Sequence, residues 1–291
     1  MTTLLEAHGL TKRFVTRRNA IGRAVATMTA VDAVDLTVDA GRTVAVVGES
    51  GAGKSTLGRL VLRLIEPDEG TVEVEGRDIT HLRRRQLRRI RDKMQMIFQD
   101  PFVSLDPRMS ISAAVEEPLK LHTSLGSDAR RVQVEGLLER VGIGRHAWDR
   151  LPHSFSGGQL QRVAIARALA ADPKLVVCDE PVAALDVSIR AQVINLLRDL
   201  QRERGLGLIF ISHDLHLVRR IADETIVMRH GSVVERGLTQ AIFDSPREAY
   251  TRLLLDSVPD LDPAHRTARR PGVAGGTQQP ARSTVATTTA H

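Results

Sequence analysis

The sequence predicts an α/β fold in which a parallel sheet, buried on both faces, carries an antiparallel β layer and an inserted helical region. Three observations predict it. The segments TVAVVG from Thr43, KLVVCDE from Lys174 and LGLIFISHD from Leu206 are continuous apolar runs ending in polar residues. That is the pattern of parallel strands with chemistry at their carboxyl ends. Helical patterns separate these runs over Lys54 to Leu64, Ser156 to Ala171 and Ser188 to Arg204, the last closed by Gly205. The stretch from Pro101 to Leu151 holds helix-like patches, ISAAVEEPLKL and ARRVQVEGLLERVG, and no strong strand.

The remaining elements follow from local pattern. Leu4 to Val38 contains short alternating segments, AVDAVDLTV among them, which mark antiparallel strands at a sheet edge. GTVEVEGRDI alternates again, with Val72 and Val74 on one face, and TIVMRHGSVVERG reads as a late hairpin turning near Gly231. HLRRRQLRRIRDK, His81 to Lys93, embeds Leu82, Leu87 and Ile90 among arginines, as in a short amphipathic helix. The tail from Ala264 to His291 is built of Gly, Pro, Thr and Ala with little to pack, and reads as disordered.

The chain has 291 residues, 42% hydrophobic and 26% charged, which suits a soluble globular protein with a sizeable core. No window holds the roughly eighteen apolar residues of a membrane span, and the start MTTLLEAHGLTKRF lacks a basic region followed by an apolar stretch. A cytoplasmic protein is expected. The single cysteine, Cys178 in LVVC, excludes disulfides within the chain and multi-cysteine metal or iron–sulfur sites, and reads as a small buried hydrophobe. The net charge of +6 suits nucleic acid or an anionic membrane surface. No aromatics interleave with the arginines, however, so that stretch reads as a solvated helix face.

Gly48 to Ser55 reads Gly-x-x-x-x-Gly-Lys-Ser between an apolar strand and a helical pattern. Gly48, Gly51 and Gly53 permit a turn, shared with Glu49, Ser50, Ala52 and Thr56, whose N–H groups point at phosphate oxygens. Lys54 supplies a charge for the β- and γ-phosphates, and the Ser55 hydroxyl can ligate Mg²⁺. LVVCDE is the natural partner: Asp179 would hold Mg²⁺, directly or through water, and Glu180 could polarise an attacking water. Together they imply a P-loop NTPase core.

A second phosphate cradle stands in SFSGGQLQRVAIARALAADPK. Ser156 has the position of a helix N-cap, with Gln159 three residues later as in a capping box. Leu160, Val163, Ala164 and Ala168 follow on one face, and Asp172-Pro173 stops the helix. A cap alone does not explain Gly157 and Gly158, which cost about 1 kcal/mol each against alanine in a first turn. Close approach of an anion to the backbone does.

This set of motifs resembles the ATP-binding subunit of ABC transporters, whose signature is Ser-Gly-Gly-Gln. The resemblance runs from Leu4 to Pro263, and implies an ATPase domain over 1–263 with a helical subdomain at about 101–151 and a C-terminal extension at about 244–263. It implies that Gln99 of MIFQDP contacts the Mg²⁺ and attacking-water region and links to membrane subunits, and that His213 of ISHDL meets the γ-phosphate. Asp186 matches an aspartate that crosses the dimer interface, though Val182 and Ala183 replace the usual threonine and serine. Phe14 is the best match for the aromatic that stacks on adenine, at a distance stretched by the insertion VTRRNAIGRAVATMTA.

FQDPFVSLDPRMSI, EEPL and SPREAYTRLLLDSVPDLDP are similar to the oligopeptide and dipeptide importer subfamily, with Arg247-Glu248-Ala249 departing from its commoner residues. Arg108 after LDP is more like the second of its two paired ATPase subunits. The resemblance implies a head-to-tail dimer with another such ATPase, a paralogue or a second copy, beneath two membrane permeases at the cytoplasmic face. An extracytoplasmic binding protein takes part indirectly, and no nucleic-acid partner is expected. ATP and Mg²⁺ would lie between Gly48 to Thr56 of one chain and Ser156, Gly157, Gly158 and Gln159 of the other. The alternative is a soluble ABC-type ATPase acting on nucleic acid or ribosomes, which usually carries a coiled-coil insertion or tandem cassettes absent here.

Overall fold

The protein is described by a computed structural model covering residues 2–18, 24–183 and 185–257. In chain order its elements are β1 (Thr3–Arg18), β2 (Ala24–Asp39), β3 (Thr43–Val47), α1 (Lys54–Val61), β4 (Glu69–Val74), β5 (Arg77–Asp78), α2 (Arg84–Leu87) and β6 (Met94–Ile97). There follow α3 (Ile111–His122), α4 (Ser127–Arg140), α5 (Gly157–Leu169), β7 (Leu175–Asp179), α6 (Val187–Arg204), β8 (Gly207–Ile211) and α7 (Leu215–Ile221). The last are β9 (Glu224–Arg229), β10 (Ser232–Leu238), α8 (Thr239–Asp244) and α9 (Ala249–Asp256).

One sheet has the order β10-β9-β3-β8-β7-β6, with β9, β3, β8, β7 and β6 parallel and β10 antiparallel at the edge. The other, β2-β1-β4-β5, is antiparallel throughout. The three apolar runs are β3, β7 and β8, and every residue in them is buried. No polar face remains to alternate, which is why the runs are continuous. Cys178 is enclosed in β7, where burial pushes its thiol up to about 12 and removes it as a nucleophile.

The alternating segments form the antiparallel sheet, with Val72 and Val74 buried in β4. The early insertion lengthens the β1–β2 hairpin, whose register runs from Thr3↔Asp39 to Arg18↔Ala24. The late hairpin turns through His230 and Gly231, both at positive φ as a two-residue primed turn requires. Gly205 closes α6 in the left-handed region.

Within the insertion, the Ser110 hydroxyl accepts a hydrogen bond from the Ala113 N–H to start α3, and Glu117 of α3 pairs with Arg167 of α5 at 2.8 Å. The arginine-rich stretch departs from the expected helix. Only the four residues of α2 are helical, and Leu87 and Ile90 reach the core through successive turns, with Leu82 packed beside them. Those turns let the chain re-enter the sheet at β6, a strand its four residues MQMI do not announce. The tail from Ala264 to His291 lies outside the described residues.

α1 lies against the sheet at Gly58, where a Cβ would come within 2.8 Å of Ile211 Cδ1 and 3.1 Å of Val177 Cγ1. Gly58→Val is expected to push α1 off β7 and β8 and to destabilise the fold by about 1–3 kcal/mol, read from a denaturant melt. An unchanged midpoint would refute this close packing.

Candidate active site

The chain leaves β3 at Val47 and turns at Gly48, φ 147°, where a Cβ would stand 2.2 Å from the Met228 carbonyl oxygen. At Gly53, φ 101°, a Cβ would stand 2.1 Å from the Ala30 carbonyl oxygen. No side chain fits at either point, so the loop is wedged between β9 and β2 by its own lack of bulk. The Gly231 N–H adds a hydrogen bond to the Ala52 carbonyl at 3.1 Å.

Lys54 opens α1 with its side chain turned back under the loop. Its ammonium donates to the carbonyls of Gly48 at 2.9 Å and Glu49 at 2.8 Å. Burial pushes this ammonium below its usual value, while Glu180 and Asp179 pull it upward. One residue on, the Ser55 hydroxyl donates to Asp179 Oδ1 at 2.7 Å. Burial raises Asp179, and the Ser55 hydrogen bond opposes that rise.

Glu180 follows at φ 48°, in the left-handed region. Its N–H donates to the Ile211 carbonyl at 3.0 Å and its carbonyl accepts from the Ala183 N–H at 3.2 Å. For a side chain of this kind the conformation costs about 1–2 kcal/mol, which these two bonds hold in place. β8 lies between β3 and β7, so His213, two residues beyond Ile211, emerges at the same edge. Its Nδ1 is 3.1 Å from Glu180 Oε1, with the imidazole 62% exposed and the carboxylate 19% exposed.

Lys54, Ser55, Asp179, Glu180 and His213 are therefore brought together. Gln99 stands two residues beyond β6, the strand next to β7, exposed, and no hydrogen bond among the described residues joins it to that group. The residue before it is held by Gln161, a buried glutamine of α5 whose amide donates to the Phe98 carbonyl at 3.4 Å. Sequence reasoning misses Gln161; an amide on an otherwise apolar helix face was the available signal. Phe14 lies on β1 opposite Met28, 38% exposed, with the Lys12 ammonium 5.8 Å from its ring centroid. It is a surface aromatic.

At the start of α5 the Ser156 hydroxyl accepts from the Gln159 N–H at 3.3 Å, and Gln159 Oε1 accepts from the Ser156 N–H at 3.0 Å. This is the expected capping box. The two glycines, however, have different reasons. A Cβ at Gly158 would lie 2.8 Å from Ile189 Cγ2 of α6, so the fold itself excludes a side chain there. A Cβ at Gly157 would meet nothing within 4 Å. Only Gly157 thus retains the argument from anion approach, on a turn where Ser156 and Gln159 are also exposed. No hydrogen bond among the described residues joins this turn to residues 48–56.

Arg190, another residue the motifs do not reveal, fastens the turn before α6. Its Nε donates to the Leu185 carbonyl at 2.6 Å and its Nη2 to the Ala183 carbonyl at 3.4 Å, with Asp214 3.7 Å away. Val182 and Ala183 offer no hydroxyl, and the Arg190 bonds go to backbone carbonyls of this turn. Taken as donors, the Ser55 hydroxyl and the Asp179 carboxylate are hard oxygen ligands suited to Mg²⁺. The glycine loop with its buried lysine suits a polyphosphate.

Residues 31–183 match the family model described as ABC transporter, and residues 234–283 match the oligopeptide/dipeptide transporter, C-terminal region. The chain is 46% identical over 268 residues to the dipeptide transport ATP-binding protein DppF of Haemophilus influenzae, covering 92% of this chain and 82% of that protein. It is 48% identical over 240 residues to DppF of Escherichia coli, covering 82% and 72%. Against the glutathione import ATP-binding protein GsiA of Salmonella paratyphi A it is 46% identical over 92% of its own length but spans only 43% of that relative.

Among solved structures, a dimeric ATP-binding cassette in a post-hydrolysis state bound to ADP and Pi matches with a TM-score of 0.73 at 28% identity, over 81% of this chain and 99% of that one. The cbiO1 protein from Clostridium perfringens, part of an ABC transporter complex, matches with a TM-score of 0.71 at 28% identity, over 84% and 92%. The wedged glycine loop, the paired carboxylates at the strand ends and these likenesses agree: the chain belongs to the ABC transporter family of ATPases, among the ATP-binding proteins that carry the oligopeptide/dipeptide transporter C-terminal region.

Proposed function

We propose that this chain hydrolyses ATP to power the import of peptides, or of a related small solute, as one of two ATPase subunits beneath a pair of membrane permeases. The observation that supports it best is the division of the chain into two half-sites. Lys54, Ser55, Asp179, Glu180 and His213 converge at one sheet edge. The exposed turn at Ser156, Gly157 and Gln159 makes no hydrogen bond to that edge among the described residues and has room for an anion. A partner's nucleotide fills that room, and the partner's own turn completes the site built on Lys54.

In this reading Lys54 holds the β- and γ-phosphate oxygens, and the loop of residues 48–56 wraps them with its backbone N–H groups from Ser50 onward. Ser55 and Asp179, together with Gln99, would hold Mg²⁺, which when bound would supply charge neutralisation for the phosphate oxygens. Glu180 takes a proton from water as the water oxygen bonds to the γ-phosphorus and the bond to the bridging oxygen breaks, leaving ADP and phosphate. His213, held against Glu180, contacts the γ-phosphate, and Phe14 stacks on the adenine. Contacts made only in the closed dimer favour closure, and loss of the γ-phosphate removes them.

No helix among the described residues is long and apolar enough to cross a membrane. Attachment to the cytoplasmic face therefore comes through the permeases in this reading, with α3 and the segment after Gln99 as the meeting surface. Purification from detergent-solubilised membranes tests the assignment. Two permeases and a second ATPase are expected to co-purify, with ATPase activity that Lys54→Met abolishes. Nucleic acid or ribosomes in their place would overturn the proposal.

A further inference from the structure

The C-terminal segment reaches back to the phosphate loop, a contact that no role assigned above uses. Tyr250, the single tyrosine of the chain, is the second residue of α9 and is 8% exposed. Its hydroxyl accepts a hydrogen bond from the Glu49 N–H at 3.2 Å. The Arg229 guanidinium lies 4.7 Å from its ring centroid. Arg229 ends β9, one residue after the Met228 carbonyl that closes on Gly48.

Glu49 is thereby held at both ends of its own residue. Its N–H is committed to Tyr250, and its carbonyl accepts from the Lys54 ammonium at 2.8 Å. A continuous path runs from the Tyr250 hydroxyl through Glu49 to Lys54. The segment that carries Tyr250 is anchored in turn, because Glu235 of β10 accepts from the N–H groups of Arg247 at 2.8 Å and Glu248 at 3.2 Å. Gly48 and Gly53 are wedged against neighbouring backbone, but a Cβ at Gly51 would meet nothing within 4 Å, so between the wedges the Tyr250 bond supports the loop from outside.

We infer that Tyr250 is a positioning residue of the nucleotide site: by holding the Glu49 peptide it sets where Lys54 is aimed, and so couples the C-terminal segment to nucleotide affinity. The inference rests on the reading of residues 48–56 as the nucleotide loop. With the Glu49 N–H engaged, the cradle is formed by amides from Ser50 onward. Phenylalanine at position 250 keeps the ring, its packing and the Arg229 contact, and removes only the hydroxyl.

The test is a titration of the full chain with a fluorescent ATP analogue and Mg²⁺, for wild type, Tyr250→Phe, Glu235→Ala and the double variant, with thermal melts alongside. Loss of one hydrogen bond predicts affinity about three- to tenfold weaker in Tyr250→Phe with an unchanged melting midpoint. In the assembled complex KM for ATP rises by the same factor and kcat holds. Glu235→Ala weakens binding in the same direction, and the double variant falls short of the product of the single effects, because both act through one path. Wild-type affinity in Tyr250→Phe overturns the inference, as does a loss that appears only with a lowered midpoint. No binding by the wild-type chain refutes the reading of the loop itself.

Discussion

Glu180→Gln is expected to bind ATP as the wild type does and to turn it over at least about a hundredfold more slowly in the assembled complex. The amide fills the same space and leaves the backbone bonds to Ile211 and Ala183 untouched, so neither folding nor the phosphate loop is disturbed. What disappears is the proton acceptor beside His213, 3.1 Å away. Single-turnover hydrolysis measured beside nucleotide titration separates the two quantities. A variant that keeps near wild-type turnover would reject Glu180 as the main base, and a variant that loses ATP binding would show that the carboxylate serves the loop instead.

Ser156→Arg is expected to abolish most ATPase activity of the complex while leaving nucleotide binding by the isolated chain unchanged. The long side chain enters the open space at Gly157, which the proposed dimer gives to the partner's γ-phosphate. Loss of the helix cap is a confounding effect, worth about 1 kcal/mol. Ser156→Ala removes the same cap without adding bulk, so the difference between the two variants isolates the trans effect. ATPase activity in Ser156→Arg equal to that in Ser156→Ala would count against a site shared between subunits.

How far such a site can be read from sequence depends on whether a residue's role is local. β3, β7 and β8 are legible because strands buried on both faces leave no polar side, and their ends carry Gly48, Asp179 and His213 directly. The capping box at Ser156 is legible for the same reason, since its partners lie three residues apart. β6 is not, because four residues emerging from a run of arginines offer neither length nor alternation. That run is expected as one helix from its apolar spacing, but successive turns bury Leu87 and Ile90 equally well.

Two further features depend on neighbours distant in the chain. Gly158 reads as half of an anion site until Ile189 of α6 supplies a packing reason for it. The bond from Glu49 to Tyr250 spans most of the chain, and no periodicity or spacing can announce it. Gln161 belongs to the same class, since it acts on the Phe98 carbonyl of another segment.

At position 180 the demands of folding and of chemistry point to different residues. The backbone there sits at φ 48°, a conformation that glycine or asparagine adopts with less strain than glutamate. Either replacement would relieve the backbone and discard the carboxylate. If Glu180 is the base proposed above, selection of this protein for thermostability alone enriches inactive variants at that position, and a stabilised library is best sorted on turnover before it is ranked on melting.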